Sequence, residues 1–509
     1  MPVLPTVVID IEPNTMDTGY GLKNIPETFS GVDVFITGGT GFMGKILIEK
    51  IVRSCPDVKN VFVLVRSQKG KSAQERITEM LSVPLFDVVR KLFPEFAKKI
   101  IAIEGDCVQL KLGLDVKNVQ RLQAVQFVFH VAASVRFDDP LKKAILMNVR
   151  GTRELLDLCK TLTKLRAVVH VSTAYCNPEV FDVEELIYPA KMSWKDAIRY
   201  AEQLDDEIFE TLTLKLTNFA INTYTFTKGL AEQICKDYSD EIPLTIMRPS
   251  VVTNTEREPI PGWIDNFSGP TSLLIGGCTG VLRVIWLKLD KHINCIPADV
   301  CIKSFIIAAW KRANCSSKHS LDVYNCAVDH IKSYTYRFFC CEAMPIYYKI
   351  PYTSAWYKPG YVSSAHQSVY LALFILLQLP PALIVDFVQR LQNKHRKIFK
   401  LLRAGFQATM ALKHFTHNEW QINNKNFRNL SNELLRQDRK DFSLDHITES
   451  LMEYFRISTL GSRRYLLKDP DHTIPAAIKQ LKRYHVIDDT LKVLLVGVFF
   501  WFVYCVSLK

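Results

Sequence analysis

The sequence predicts an α/β fold, a doubly wound parallel sheet followed by a mainly helical C-terminal region. Three observations carry that expectation. Short apolar, β-branched runs alternate with helical stretches over more than 200 residues from Val32 onward. Several of these runs are continuously hydrophobic, as strands buried on both faces are. Beyond about residue 270 the alternation fades and helical patterns dominate.

Val32–Thr37 reads as the first strand, followed by a glycine turn and a helix over 44–54. Val61–Val65, Ile100–Ile103, Phe127–Val131, Ala167–Val171 and Leu244–Met247 read as further strands. Helices are expected over 72–98, 140–164 and 223–238, with an added helix at Trp194–Tyr200 inside the insertion 180–222. Later helical patterns fall at 387–412 and 475–487. Two apolar runs stand out, Val369–Val385 and Val493–Val506. The first contains Gln378 and Pro380-Pro381, so it reads either as a bilayer dip that turns at the prolines or as a buried helix pair. The second, at 14 residues, is short for a span of about 20.

Of the 509 residues, 48% are hydrophobic and 23% charged, which excludes an intrinsically disordered chain. The net charge of +12 is uneven: residues 1–270 sum to −3 and 271–509 to +15. A basic half suits nucleic acid, a membrane surface or an anionic ligand. No nucleic-acid motif accompanies it, so no nucleic-acid partner is expected. The 13 cysteines show neither a C-x-x-C pair nor zinc spacing, which points to free thiols in a reducing compartment and to no metal. His414 and His417 make an H-x-x-H without a further evident ligand. The N-terminus lacks the basic start and apolar run of a signal peptide.

Four glycines fall within the seven positions Gly38 to Gly44, directly after Thr37. Gly38 permits a tight turn, Gly41 lets backbone N–H groups approach a pyrophosphate, and Gly44 allows close helix–strand packing. This is the dinucleotide turn of a Rossmann-type sheet, with Thr37 and Phe42 beside it. An NAD site usually ends the second strand with an acid. Here Arg66 stands there, and a guanidinium suits a 2′-phosphate, so NADPH is the expected cofactor. Asp106 follows the third strand, within reach of adenine. Ala132 gives small backbone past the cofactor, and Arg248 and Pro249 end the sixth strand near the nicotinamide.

Tyr224 and Lys228 are the single Tyr-x-x-x-Lys of the chain, four apart and so on one helical face. Their chemistry suits hydride transfer: Tyr224 protonates a carbonyl oxygen, while Lys228 lowers the phenol pKa and holds the nicotinamide ribose. Thr173, then Ser172, at the end of the preceding strand are the candidates for orienting the substrate oxygen. Asn148 is a candidate brace for the proton relay.

The phrases ITGGTGFMGK, VLVR, HVAASVRFD, NVRGT, HVSTAYCN, YTFTK and MRPSVV, and above all Pro261–Arg283, resemble the alcohol-forming fatty acyl-CoA reductases over about residues 28–460. These form a branch of the extended short-chain dehydrogenase/reductases. The resemblance implies a reductase domain followed by a male-sterility-type C-terminal region. It implies that long-chain acyl-CoA is reduced with two NADPH, through a bound aldehyde, to a primary alcohol with release of CoA. A 3β-hydroxysteroid dehydrogenase-like enzyme, a nucleotide-sugar epimerase and a non-catalytic NADPH-binding protein are the alternatives. Arg66 disfavours an NAD-dependent epimerase, the 261–283 phrase disfavours both enzymes, and the intact Tyr224–Lys228 pair disfavours the non-catalytic protein. The expected organisation is a leader (1–28), an NADPH-binding reductase domain (29–270), a substrate-binding completion (271–365), a helical region (366–475) and a membrane-associated segment (476–509). The second half's charge then suits lipid headgroups and CoA phosphates. The catalytic part should face the cytosol from a membrane surface or bilayer, that of the endoplasmic reticulum first, with peroxisome or lipid droplet as alternatives. No oligomeric state is implied.

Overall fold

The computed structural model describes residues 23–67, 70–217, 220–267, 269–315, 321–329, 333–391, 398–445 and 450–507. Its central sheet has seven parallel strands: β1 (Asp33–Thr37), β2 (Asn60–Val65), β3 (Ile100–Glu104), β4 (Val125–His130), β5 (Ala167–Val171), β6 (Leu244–Pro249) and β7 (Asp322–Cys326). Their spatial order is β7-β6-β5-β4-β1-β2-β3. The order reverses between β1 and β4, which leaves a crevice at their carboxyl ends.

Alternate side chains feed two apolar layers. Val34, Ile36, Val61 and Val63 pack beneath the helices Phe42–Ser54 and Ala298–Asn314. Phe35, Phe62, Leu64 and Val128 pack beneath Gly151–Thr161 and Thr223–Tyr238 on the other face. Each such buried side chain contributes about 1.5–3 kcal/mol.

Six strands lie where the apolar runs placed them. The seventh, β7, comes from the stretch 271–365 assigned to substrate binding, so the reductase sheet extends past residue 270. As an edge strand it pairs, among the described residues, with β6 alone and carries Asp322 and Asn325, which hid it from a search for apolar runs. The expected helix 72–98 is broken into Ala73–Leu81 and Asp87–Leu92, because Pro84 opens a 3₁₀ turn and Pro94 follows the second piece. Of the expected leader, residues 1–22 lie outside the described residues. The remainder packs on the core through the helix Ile25–Phe29, which is capped reciprocally by Asn24 and Glu27 and whose Ile25 and Phe29 are wholly buried. The Ile25 N–H donates to Asp438, joining the start of this unit to the C-terminal region.

The run Val369–Val385 neither turns at its prolines nor forms a buried pair. It lies in one helical stretch, Gln367–Leu391, with a π-turn at Phe374–Gln378 just before Pro380. Pro381 offers no N–H to the Leu377 carbonyl, which accepts from Arg283 instead (3.1 Å). Gln378 is buried because its Oε1 accepts the Arg283 and Val284 N–H groups. Among the described residues this is the helix long and apolar enough to cross a membrane, and only 12% of its most apolar stretch is buried. The expected helix 387–412 is divided between the end of this stretch and Ile398–Ala411, with 392–397 outside the described residues. The last expected helix and the second apolar run are one helix, Ile474–Ser507. Asp488 fixes it to Tyr357 (2.9 Å) and Lys358 (3.0 Å), and beyond that point Val493, Leu494 and Trp501 are exposed.

Candidate active site

The carboxyl edges of β1, β4 and β5 bring the candidate residues together. Gly38 has φ +74°, and a Cβ there would lie 2.6 Å from the Ala132 nitrogen after β4. A Cβ on Gly44 would lie 2.2 Å from the Gly38 carbonyl. Gly41 is the N-cap of Phe42–Ser54 and brings no side-chain cap. The N–H groups of the first turn therefore have no side-chain cap, the arrangement that receives a pyrophosphate. The chain thus fits a dinucleotide on its own geometry. The Phe42 ring itself stacks on Trp263 (5.5 Å), and Lys45 pairs with Asp265, so the 261–265 segment is docked on the glycine helix.

At the other end of the crevice Arg66 and Asp106 face each other at 3.7 Å, with the Arg66 side chain 58% exposed. Asp106 also accepts the Val108 N–H (3.0 Å). Arg76, which the sequence reading passed over, donates to the Arg66 carbonyl and so brings a second guanidinium to this corner.

Asn222 caps the helix Thr223–Tyr238 through the Thr225 N–H (2.9 Å) and so sets the position of Tyr224 and Lys228 one turn in. Lys228 is buried and donates to the carbonyl of Val171, the last residue of β5 (2.6 Å). Burial lowers its pKa to about 8, against the partial opposing pull of Cys235 and Glu232. The half-buried Tyr224 lies beside Thr173. Burial pushes its hydroxyl above the ordinary phenol range, and the neighbouring Thr173 hydroxyl offsets this in part. Thr173 accepts the Tyr175 N–H (3.3 Å). Ser172 donates its N–H to the Met247 carbonyl (2.7 Å), while its buried hydroxyl has no partner among the described residues. Of the two, Thr173 is the one whose hydroxyl bears on the Tyr224 phenol.

Asn148 lies in a π-turn, Ile145–Arg150, a distortion that turns its amide inward. It bonds both the Ser134 N–H (2.8 Å) and the Thr227 hydroxyl (2.9 Å), next to Lys228 but not on it. Arg248 departs from its expected place. Its guanidinium is fully buried, paired with Glu232 (2.6 Å) and donating to the Glu184 and Leu186 carbonyls, so it ties the insertion to the catalytic helix. Pro249 accepts the Ala174 N–H through its carbonyl (2.9 Å). Thr37 is wholly buried against His130 (Oγ1 to Nδ1, 2.7 Å).

Two histidines were not singled out from the sequence. His130 and His170 are register partners at the ends of β4 and β5, their rings 5.3 Å apart. Burial, then the charge of Lys228, lowers His130 to about 3 and His170 well below its ordinary value, so both are neutral. The signal was present: a His-Val pair, His130-Val131 and His170-Val171, stands at the carboxyl end of each strand at matched positions. His414 and His417 each bond backbone carbonyls, of Pro178 and Ala365, and no group able to hold a metal occurs among the described residues.

A family described as Male sterility protein matches residues 36–305, and a second of the same description matches 377–469. The chain is 35% identical to fatty acyl-CoA reductase 1 of Xenopus laevis over 463 residues, covering 91% of this chain and 90% of that protein. It is 34% identical to fatty acyl-CoA reductase wat of Drosophila melanogaster over 472 residues (92% and 91%). Human fatty acyl-CoA reductase 1 is likewise 34% identical, over 463 residues (91% and 90%). Among solved structures, the terminal R domain from the myxalamid PKS-NRPS pathway aligns with TM-score 0.55 at 19% identity, covering 85% of this chain and 91% of that one. The R domain of a Mycobacterium tuberculosis non-ribosomal peptide synthetase aligns with TM-score 0.53 at 14% identity (85% and 92%). These two likenesses concern the fold.

Proposed function

The chain belongs to the fatty acyl-CoA reductases of the male sterility type, and on that premise we propose that Tyr224, Lys228 and Thr173 carry its reduction of long-chain acyl-CoA to the primary alcohol, with NADPH as reductant. The observation that carries the site reading is the buried Lys228, held on the last carbonyl of β5, one helical turn after Tyr224, which lies beside Thr173. Bound NADPH supplies the hydride, once to the thioester and once to the aldehyde. Tyr224, kept protonated by burial, donates to the substrate oxygen as charge develops there, and Thr173 orients that oxygen. Lys228 adds a positive charge beside the phenol and a donor for the nicotinamide ribose. NADPH rather than NADH is supported by Arg66 at the end of β2, where no acid stands, and by Arg76 next to it. A seat on a membrane is supported by the exposed apolar faces of Gln367–Leu391 and of the end of Ile474–Ser507.

The test is to incubate purified protein with NADPH or NADH and acyl-CoAs of graded chain length, then identify the products. Alcohol and free CoA are expected. No NADPH oxidation with any acyl-CoA refutes the proposal, aldehyde as sole product refutes the second reduction, and equal use of NADH refutes the role of Arg66. Tyr224→Phe should lower turnover about 10²–10⁴-fold with NADPH binding retained.

A further inference from the structure

The catalytic tyrosine touches the C-terminal region through aromatic rings. Tyr224 stacks on Phe137 (centroids 5.9 Å), and Phe137 meets Phe415 at 5.6 Å. Phe415 stands edge-on to Tyr175 (5.7 Å) and stacks on Trp420 (5.6 Å). These rings come from four separate places: the catalytic helix Thr223–Tyr238, the loop after β4, the loop after β5, and the short helix Lys413–His417 with the segment behind it. Behind them lie the buried Ala174, Val183 and Ala327. Tyr224, Phe137, Tyr175 and Phe415 are each only partly buried, so the cluster keeps an open side. Val135 (61% exposed) and Ile221 (37%) stand near Phe137 and Tyr224 in the chain, while the exposed Arg136 and Asp138 on either side of Phe137 pair with each other (3.0 Å).

We propose that Phe415, with Phe137, Tyr175 and Trp420, forms the wall along which the acyl chain leaves Tyr224, so that the C-terminal region reads chain length. The inference rests on the acyl-CoA reading above. A thioester carbonyl bound by Tyr224 and Thr173 must send a methylene chain in one direction and a phosphate-bearing CoA in another. A partly open aromatic wall suits the methylenes and offers nothing to phosphate. The wall is held from outside: the Trp420 indole N–H donates to Pro178 (3.2 Å), His414 bonds the same carbonyl (3.2 Å), and Tyr336 donates to the Phe415 carbonyl (3.5 Å). Past Leu412 the chain runs directly into the helix Ile398–Ala411, whose outer face exposes Phe399 and Leu401. One helical run therefore links the reacting centre to an exposed apolar surface.

The test uses the full chain with saturating NADPH and two substrate series, acyl-CoAs and free fatty aldehydes, each from eight to twenty-four carbons. Phe415→Trp should narrow the path and raise KM for the longest chains about tenfold or more, with kcat for the shortest nearly unchanged. Phe415→Ala should flatten the chain-length profile, and Phe415→Leu should largely restore it. Folded variants with unchanged profiles in both series overturn the proposal. Wild-type protein that reduces aldehydes but no acyl-CoA refutes the substrate reading instead, and the aldehyde series still decides the wall. Should Phe415→Ala fail to fold, the Trp and Leu variants make the same comparison.

Discussion

Lys228 should set the alkaline limit of the enzyme. Its side chain is buried and its ammonium donates to the Val171 carbonyl, and burial brings its pKa from the ordinary 10.5 to about 8. If the cation is the working form, about nine-tenths is present at pH 7 and about one-tenth at pH 9. The rate should therefore fall about tenfold per pH unit above pH 8. The neighbouring groups do not blur this limb. Burial holds Tyr224 above the ordinary phenol range, so it stays protonated. His130, at about 3, and His170, lower than its ordinary value, are already neutral. The assay is NADPH oxidation at limiting NADPH from pH 6.5 to 10, because kcat/KM reports the groups of the free enzyme. Circular dichroism over the same range checks that the fold persists. Lys228→Arg, which keeps its charge throughout, should remove the limb, while Lys228→Met should lower the rate about 10²–10⁴-fold at every pH. A wild-type profile flat from pH 7 to 9.5 refutes the reasoning.

Gly38→Ala should abolish NADPH binding in a fluorescence titration, since its Cβ would meet Ala132 backbone at 2.6 Å with φ at +74°. Arg248→Met should cost about 3–5 kcal/mol in urea unfolding by leaving Glu232 buried without its partner, whereas Arg248→Met with Glu232→Leu should recover much of that loss. Arg66→Asp should shift the kcat/KM ratio of NADPH to NADH toward NADH by at least about tenfold, measured with one acyl-CoA.

The parts of this molecule legible in the sequence are those written in adjacent residues. β1 to β6 announce themselves as apolar runs, the glycine turn as four glycines, and Tyr224–Lys228 as a spacing. What stayed hidden depends on partners distant in the chain. β7 has an edge strand's mixed composition, so only its pairing with β6 reveals it. Arg248 looked like a cofactor neighbour because its place after β6 was visible and its partner Glu232 was not. The meeting of Phe137 with Phe415 has no local signature, since neither ring sits in a pattern that demands the other.

The place of β7 has a consequence for how the chain is made. β6 and β7 are neighbours in the sheet, yet everything from Ser250 to Leu321 is synthesised between them. During translation the growing sheet therefore presents β6 as an open edge, Leu-Thr-Ile-Met, while some 70 further residues emerge, and at a typical pace of about 5–20 residues per second the exposure lasts several seconds. The nucleotide-binding strands β1 to β3 need none of this and can form early. The reductase sheet closes only after the ribosome has passed well into the second half of the message, which makes a chain stalled or cut before Cys326 an aggregation-prone fragment rather than a smaller enzyme.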